Sequence, residues 1–364
     1  FIRDVRDSFR QSGAFSQPHR LELQNFKFCF APQLFTRAKN GLPLIKSHQR
    51  LLHFGSVNDI ELDEKRKRLR GLASFSSIPL GQEQETMLRE GHIRTVSVGY
   101  QVLSMEMASK DKNGIATSFA SLMQPQVWFG DVPLGRRLAR ENNEYAATLV
   151  RDYPGRFGMF ATLPLPDAEG SLKEIEYVLD VLKADGFGLM TSYAGKYLGD
   201  PAFWPVWEEL NRRKAVVYNH PLNAECCRNP LPGLFSSAAV YTADTTYTIA
   251  SLLFTGAAAR FPDIRWIHSH GGGTMPFIYS RFTRQEGDMK EAAKKVLPNG
   301  VLYELKRFHY DTAQANHAGA LSALLKLVST SQVMLGTDFP YRPISEVVEG
   351  LTSYGFSAAD LQAI

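Results

Sequence analysis

The sequence predicts an α/β fold, an eight-stranded parallel barrel. Two observations carry the prediction. From about residue 113 onward, seven strand-like runs alternate with seven helix-like runs across short loops. Several of those strand-like runs also stop at a histidine or an aspartate. Parallel strands need helical crossovers, and in such barrels the side chains that do chemistry sit at the C-terminal strand ends.

The elements follow in order. "GIATSFASLM" (114–123) has the β-branched and small residues of a strand, and "GRRLARENNEYAATLVRDYP" carries apolar residues at helical spacing before stopping at Pro154. "RFGMFATLPLP" (156–166) is the second strand, followed by an amphipathic helix, "SLKEIEYVLDVLKADG", expected to end at Gly186. "FGLMTSY" is the third strand, and "PAFWPVWEELNRRK" begins a helix with proline in the first turn, where a missing N–H costs nothing. "AVVYNHP" is the fourth strand and "DTTYTIASLLFTGAAARFP" a long buried helix. "IRWIHSH" is the fifth, with a helix opening at "MPFIYSRFTRQ". "RFHYDTA" with "HAGALSALLKLV", then "QVMLGTDFP" with "PISEVVEGLTSYG", complete the seven units. The eighth strand must come from residues 1–112, an atypical N-terminal region. "RTVSVGYQVL" (94–103) is its best candidate and "LPLIKS" (42–47) a weaker one. Residues 113–364 form the barrel domain, which is expected to be truncated at its C-terminal end.

A chain of 364 residues, 44% hydrophobic and 21% charged, has the composition of a soluble globular protein with a large core. Its three cysteines, Cys29, Cys226 and Cys227, form no CxxC, which argues against a disulfide framework or a thiolate zinc site and fits a reducing, cytoplasmic setting. No apolar run has the length of a membrane span, and no signal peptide is read at Phe1. Residues 1–112 hold 18 Lys+Arg against 12 Asp+Glu, and the remainder 23 against 25. Much of the excess lies in "DEKRKRLR" (Asp63 to Arg70), read as a solvated basic helix face rather than a nucleic-acid patch, since no aromatic residues interleave it.

"AVVYNH" ends at His220, "IRWIHSH" at His270, "RFHYDTA" carries Asp311 and "VMLGTD" ends at Asp338. A lone strand-end histidine is more often structural, and an aspartate in "GTDFP" can merely cap the next helix. Four such strand ends in one barrel outweigh those readings. Two histidines and a carboxylate at one mouth suit a divalent metal or a metal-free acid–base site. His268 and His270 are expected to face opposite ways, His270 into the mouth and His268 into the helix layer. Gly271 to Gly273 are read as clearing space, and offering N–H donors, for an anionic group beside His270.

At these residues the sequence resembles the amidohydrolase-related family of the aminocarboxymuconate semialdehyde decarboxylase type. The matching segments include "NNEYAATLVRDYPGRFGMFATLPLPD", "YLGDPAFWPVWEELNRRKAVVYNHP", "DTTYTIASLLFTGAAARFPDIRWIHSHGGGTMPFIYSRF" and "MLGTDFPY". "LPLPD", "YLGD" and "CCRN" are most similar to 6-methylsalicylate decarboxylase-like and resorcylate decarboxylase-like members. The resemblance implies a TIM (β/α)8 barrel of the metal-dependent hydrolase type that performs non-oxidative decarboxylation, with His220 and Asp338 as metal ligands and His270 as the acid or base beside the metal. Zinc is the implied metal, with manganese or magnesium in some members. It also implies a first strand ending in His-x-His or Glu-x-His. The N-terminal histidines here are His19, His48, His53 and His92, none two apart, so weak or absent metal binding is expected from this chain.

The expected function is therefore decarboxylation of a hydroxylated aromatic or related unsaturated carboxylic acid, with His270 and Asp338 catalytic. The alternatives are a metal-dependent hydrolase of an ester, lactone or amide, and a degenerate inactive barrel. Gly271, Gly272, Tyr193 and Phe339, with Trp128, are expected to line the substrate pocket. The expected partner is a small-molecule carboxylic acid, with no nucleic acid and no membrane, and the expected assembly a homodimer.

Overall fold

The structure is a computed structural model. It describes residues 117–123, 126–223, 234–339 and 341–364, together with the backbone of four strands in the N-terminal third. The chain divides into two compact units, Phe1–Glu106 and Met107–Ile364.

In the first unit, strands β1 (His19–Leu23), β2 (Leu42–Ile45), β3 (His53–Asp63) and β4 (Arg68–Phe75) form one antiparallel sheet in the order β1-β4-β3-β2. Two expectations are corrected here. "LPLI" is a strand, but it pairs antiparallel with β3, so it supplies no strand of a parallel barrel. The basic run is not a helix face: Asp63 closes β3, Arg68 to Arg70 open β4, and Asp63 pairs with Arg68. The other candidate eighth strand, 94–103, lies outside the described residues.

Among the described residues, the second unit holds seven parallel strands: β5 (Ser118–Ser121), β6 (Phe157–Ala161), β7 (Gly186–Met190), β10 (Val216–His220), β11 (Arg265–His268), β12 (His309–Asp311) and β13 (Val333–Met334). Between β7 and β10 lies a small antiparallel pair, β8 (Ser192–Tyr193) and β9 (Lys196–Tyr197). The sheet order is β13-β12-β11-β10-β7-β6-β5, so each βα unit lies beside the one before it, as in an α/β barrel. Among the described residues, no strand fills the place between β13 and β5.

Seven main helices cover this sheet: α1 (Val132–Asp152), α2 (Ala168–Asp180), α3 (Trp204–Arg212), α4 (Ser236–Phe254), then α6 (Met275–Met289), α9 (Ala318–Leu327) and α10 (Ile344–Tyr354). Short helices α5 (Ala257–Arg260), α7 (Glu291–Val296), α8 (Val301–Arg307) and α11 (Ala358–Ala363) fill the connections. Local chemistry starts several of them. Asp131 and Asp167 cap α1 and α2 by accepting N–H bonds from Leu134 and Gly170. The long apolar helix breaks at Gly256, which takes φ +82° between α4 and α5. Gly186 does not end α2, which stops at Asp180. It begins β7 instead, where a Cβ would lie 2.7 Å from the Val216 carbonyl oxygen.

The core lies between sheet and helices. Phe187, Leu189, Val217 and Trp266 from the strands meet Phe203, Val206, Trp207 and Leu210 from the α3 region, and the Trp207 and Trp266 rings meet edge to face at 5.6 Å. Each such side chain contributes roughly 1.5–3 kcal/mol when fully buried. At the top of β6, Asn143 of α1 bonds both the carbonyl and the N–H of Thr162, at 2.9 and 2.7 Å, and reaches Glu174 of α2 at 2.8 Å. One buried amide thus ties two helices to a strand end. Among the described residues, no helix is long and apolar enough to cross a membrane.

Candidate active site

His220 is the last residue of β10, and its ring is buried at the strand's C-terminal end. Its Nδ1 lies 2.8 Å from the Pro221 carbonyl oxygen. A carbonyl only accepts, so the proton sits on Nδ1 and Nε2 keeps its lone pair. Burial, with the neighbouring charge of His270, pulls this imidazole down to about 4. It is neutral at physiological pH, the form in which histidine binds metals.

Asp338 stands four residues beyond β13, and its side chain is also buried. Burial alone would raise its proton affinity, but contact with His270 and the Gln314 amide outweighs that, so the carboxyl is held below its usual range. His270 follows β11 in a one-turn 3-10 segment, with Nε2 3.8 Å from Asp338 Oδ2 and its ring 5.2 Å from the His220 ring. Burial pulls its affinity down, while the carboxylates of Asp338 and Asp311 push it up, and the net shift is upward. Two imidazoles side by side are thus driven in opposite directions, the pattern that separates a ligand or base from an acid.

The structure separates His268 from His270, though not for the expected reason. Residues two apart on a strand face the same way. The strand ends at His268, and His270 turns into the left-handed region at φ +55°. His268 is fully buried, with its ring 4.8 Å from Phe308 and its Nδ1 2.9 Å from the Asn219 amide. Burial, then the charge of His309, lowers it to about 3.

The glycines are also corrected. A Cβ on Gly271 would lie 2.9 Å from Ala315 Cβ, one on Gly272 2.9 Å from the Tyr310 ring, and one on Gly273 2.1 Å from the Thr242 carbonyl oxygen. The space they clear is filled by the protein itself. The N–H groups of Gly272 and Gly273 already bond Ser269 O and His270 O. These residues route the backbone through three positive-φ positions.

His220, His270 and Asp338 each offer a ligand atom, all within 4.8 Å of one another. Two imidazoles and one carboxylate are a donor set that suits zinc, manganese or iron, so the residues present fit a divalent metal. The amidohydrolase family model matches residues 96–348. The chain belongs to the amidohydrolase family. The first 95 residues of this amidohydrolase-family chain lie outside the match.

The chain is 40% identical to the decarboxylase yanB of Aspergillus niger over 58% of this chain and 60% of that protein. It is 34% identical to the 6-methylsalicylic acid decarboxylase acuB of Aspergillus aculeatus over 64% of this chain and 73% of that one. It therefore spans about three-fifths of yanB and nearly three-quarters of acuB. A dihydroxybenzoic acid decarboxylase from Polaromonas sp. JS666, solved with bound manganese and the inhibitor 2-nitroresorcinol, has the same fold. It aligns with a TM-score of 0.59 at 23% identity, over 70% of this chain and 80% of that one.

The remaining residues named from the sequence fall in different places in this amidohydrolase-family chain. Tyr193 is 4% exposed, with its hydroxyl accepting from Met190 N–H at 2.9 Å and donating to Gln126 at 3.3 Å. Trp128 packs partly buried against the core, whereas Phe339, beside Asp338, is 51% exposed. Asp311 is buried beneath the site and does not join the cluster. Several residues escaped sequence reading. Gln314 donates its amide to Asp338 Oδ2. The Tyr241 ring of α4 sits 6.3 Å from the His220 ring. Asp244, also of α4, accepts from the Thr191 hydroxyl, from Tyr197 OH at 2.8 Å and from Leu222 N–H at 2.9 Å, clamping the loops that flank His220. Tyr241 and Asp244 stand on a helix, and Gln314 in the turn that leaves β12. In the structure His270, Gln314 and Asp338 share left-handed backbone, at φ between +52° and +55°, which no sequence pattern announces.

Proposed function

We propose that this chain is a metal-dependent, non-oxidative decarboxylase, a carbon–carbon lyase acting on a hydroxylated aromatic carboxylic acid. The observation that carries the reading is the convergence of His220, His270 and Asp338, with His270, of the two imidazoles there, the one whose proton affinity is raised. The named activities of its relatives support the same class of chemistry.

His220 Nε2 and the Asp338 carboxylate would hold the metal. When bound, it would supply positive charge that favours a carboxylate substrate. His270 delivers a proton from Nε2 to the ring carbon that bears the carboxylate. That carbon becomes tetrahedral and aromaticity is lost. The carbon–carbon bond then breaks, its electron pair returns to the ring, and carbon dioxide leaves. The balance is one proton consumed for each carboxylate exchanged for hydrogen, and His270 is left neutral and takes its next proton from solvent. Asp338, 3.8 Å away, favours the charged imidazole before transfer. Phe339 and Tyr241 bound the ring of the substrate.

The reading takes zinc as the resident metal, the homodimer as the working assembly and the cytoplasm as the compartment. Metal analysis, sedimentation and cell fractionation check these. The activity itself is tested by incubating purified protein with zinc or manganese and a panel of hydroxybenzoic acids, including 6-methylsalicylate and 2,6-dihydroxybenzoate. Release of carbon dioxide with one equivalent of the phenol is expected. Acid released from an ester, lactone or amide, with no carbon dioxide from any carboxylate, would instead make the chain a hydrolase.

A further inference from the structure

Two of the three converging residues are held from one four-residue turn. The turn, Asp311–Gln314, runs directly out of β12. Asp311 Oδ1 accepts from His270 N–H at 2.7 Å and from Ala313 N–H at 3.0 Å, while Oδ2 accepts from Tyr218 OH at 3.1 Å. Three donors therefore fix a carboxylate that is only 4% exposed. Its seat depends on Gly336, where a Cβ would lie 2.5 Å from Asp311 Cγ. Within the same turn, Thr312 N–H bonds Met334 O at 3.0 Å, and the Thr312 hydroxyl lies 3.1 Å from Gly336 N. The turn is thus laced to the segment leading to Asp338, and Gln314, at its end, donates to the Asp338 carboxylate.

His270 and Asp338 both occupy the left-handed region that side chains disfavour, at φ +55° and +54°. Such a conformation persists only where the surroundings over-determine it. For His270 the fixed point is its own N–H on Asp311, and for Asp338 it is the Gln314 amide.

We infer that Asp311 and Gln314 are positioning residues that together set the separation of the His270 imidazole from the Asp338 carboxylate. Asp311 acts through the His270 backbone and Gln314 through the Asp338 side chain, and neither touches substrate. The role rests on the decarboxylase reading only for what the site does, because the positioning belongs to the resting protein.

The test uses the full chain labelled with 13C at histidine Cε1, without substrate. The His270 ring signal is assigned by its loss in His270→Gln. In Asp311→Ala and in Gln314→Ala that signal moves, while the His268 signal stays in place. In Asp311→Asn it moves less than in Asp311→Ala: both lose the negative charge that favours the charged imidazole, but the amide oxygen still accepts from His270 N–H and Tyr218 OH can accept from the amide nitrogen. In the same proteins, Gln314→Ala weakens Mn2+ binding by about 10- to 100-fold, as loss of a group orienting a metal ligand does. A His270 signal unmoved in either folded alanine variant overturns the proposal. So does a shift in Asp311→Asn as large as in Asp311→Ala. If Asp311→Ala does not fold, Gln314→Ala decides, since Gln314 is exposed. Failure of the decarboxylase reading shows separately, as wild-type protein that releases no carbon dioxide while its His270 signal still responds to both variants.

Discussion

His270 Nε2 faces Asp338 Oδ2 across 3.8 Å, although the two residues stand 68 positions apart in the chain and each sits in left-handed backbone. The carboxylate and the buried Asp311 raise the imidazole's affinity for a proton, while His220, 5.2 Å away, is driven to the neutral form.

His270→Ala removes the proposed proton donor. The rate of carbon dioxide release should fall by about two to four orders of magnitude, the usual scale for an acid–base group. Metal content should change little, since His220 and Asp338 remain. Steady-state kinetics beside metal analysis checks both, and turnover near wild type would remove His270 from the mechanism.

Chelation tests the metal. Dialysis against a chelator should abolish carbon dioxide release, and adding back zinc or manganese should restore it. Because the described cluster offers three side-chain groups, with His270 also needed as the acid, retention should be weak and loss rapid. Asp338→Asn should lower affinity further. Metal held through prolonged chelation would point to ligands beyond these three.

His268 should matter to stability rather than to turnover. Burial depresses its proton affinity to about 3 in the folded protein, against roughly 6.5 when unfolded. The unfolded chain therefore binds a proton first as pH falls. Stability contributed by the neutral ring is complete above about pH 6.5 and is lost toward pH 3, with a limiting slope of about 1.4 kcal/mol per pH unit. Urea unfolding between pH 7 and 4 should show a pH slope shallower in His268→Gln than in the wild type by up to about that amount, the rest coming from other groups such as His220. Parallel curves would mean the ring is not the titrating group.

Gly273→Ala places a methyl group 2.1 Å from the Thr242 carbonyl oxygen at a residue with φ +67°. Backbone strain and overpacking together should cost about 2–5 kcal/mol. The denaturation midpoint should fall accordingly. Unchanged stability would show that α4 can retreat from the glycine turn.

The amino-acid sequence by itself determined the order of βα units and the placing of His220 and Asp338 at or just past strand ends. Both are local properties: alternation of period 2 and 3.6, and the point at which an apolar run stops. It did not decide which of His268 and His270 enters the site, because strand alternation sends both the same way. The separation comes from the chain leaving the strand after His268 and turning left-handed at His270. Nor could it show that the glycines make room for Ala315, Tyr310 and Thr242, since those neighbours arrive from other segments of the chain. Gln314, Tyr241 and Asp244 were invisible for the same reason. A turn residue and two helix residues carry no local mark of the histidine or carboxylate they will meet. Only the closing of the βα units brings β10, β11, β12 and the segment after β13 to one mouth, where a glutamine amide finds an aspartate 24 positions away.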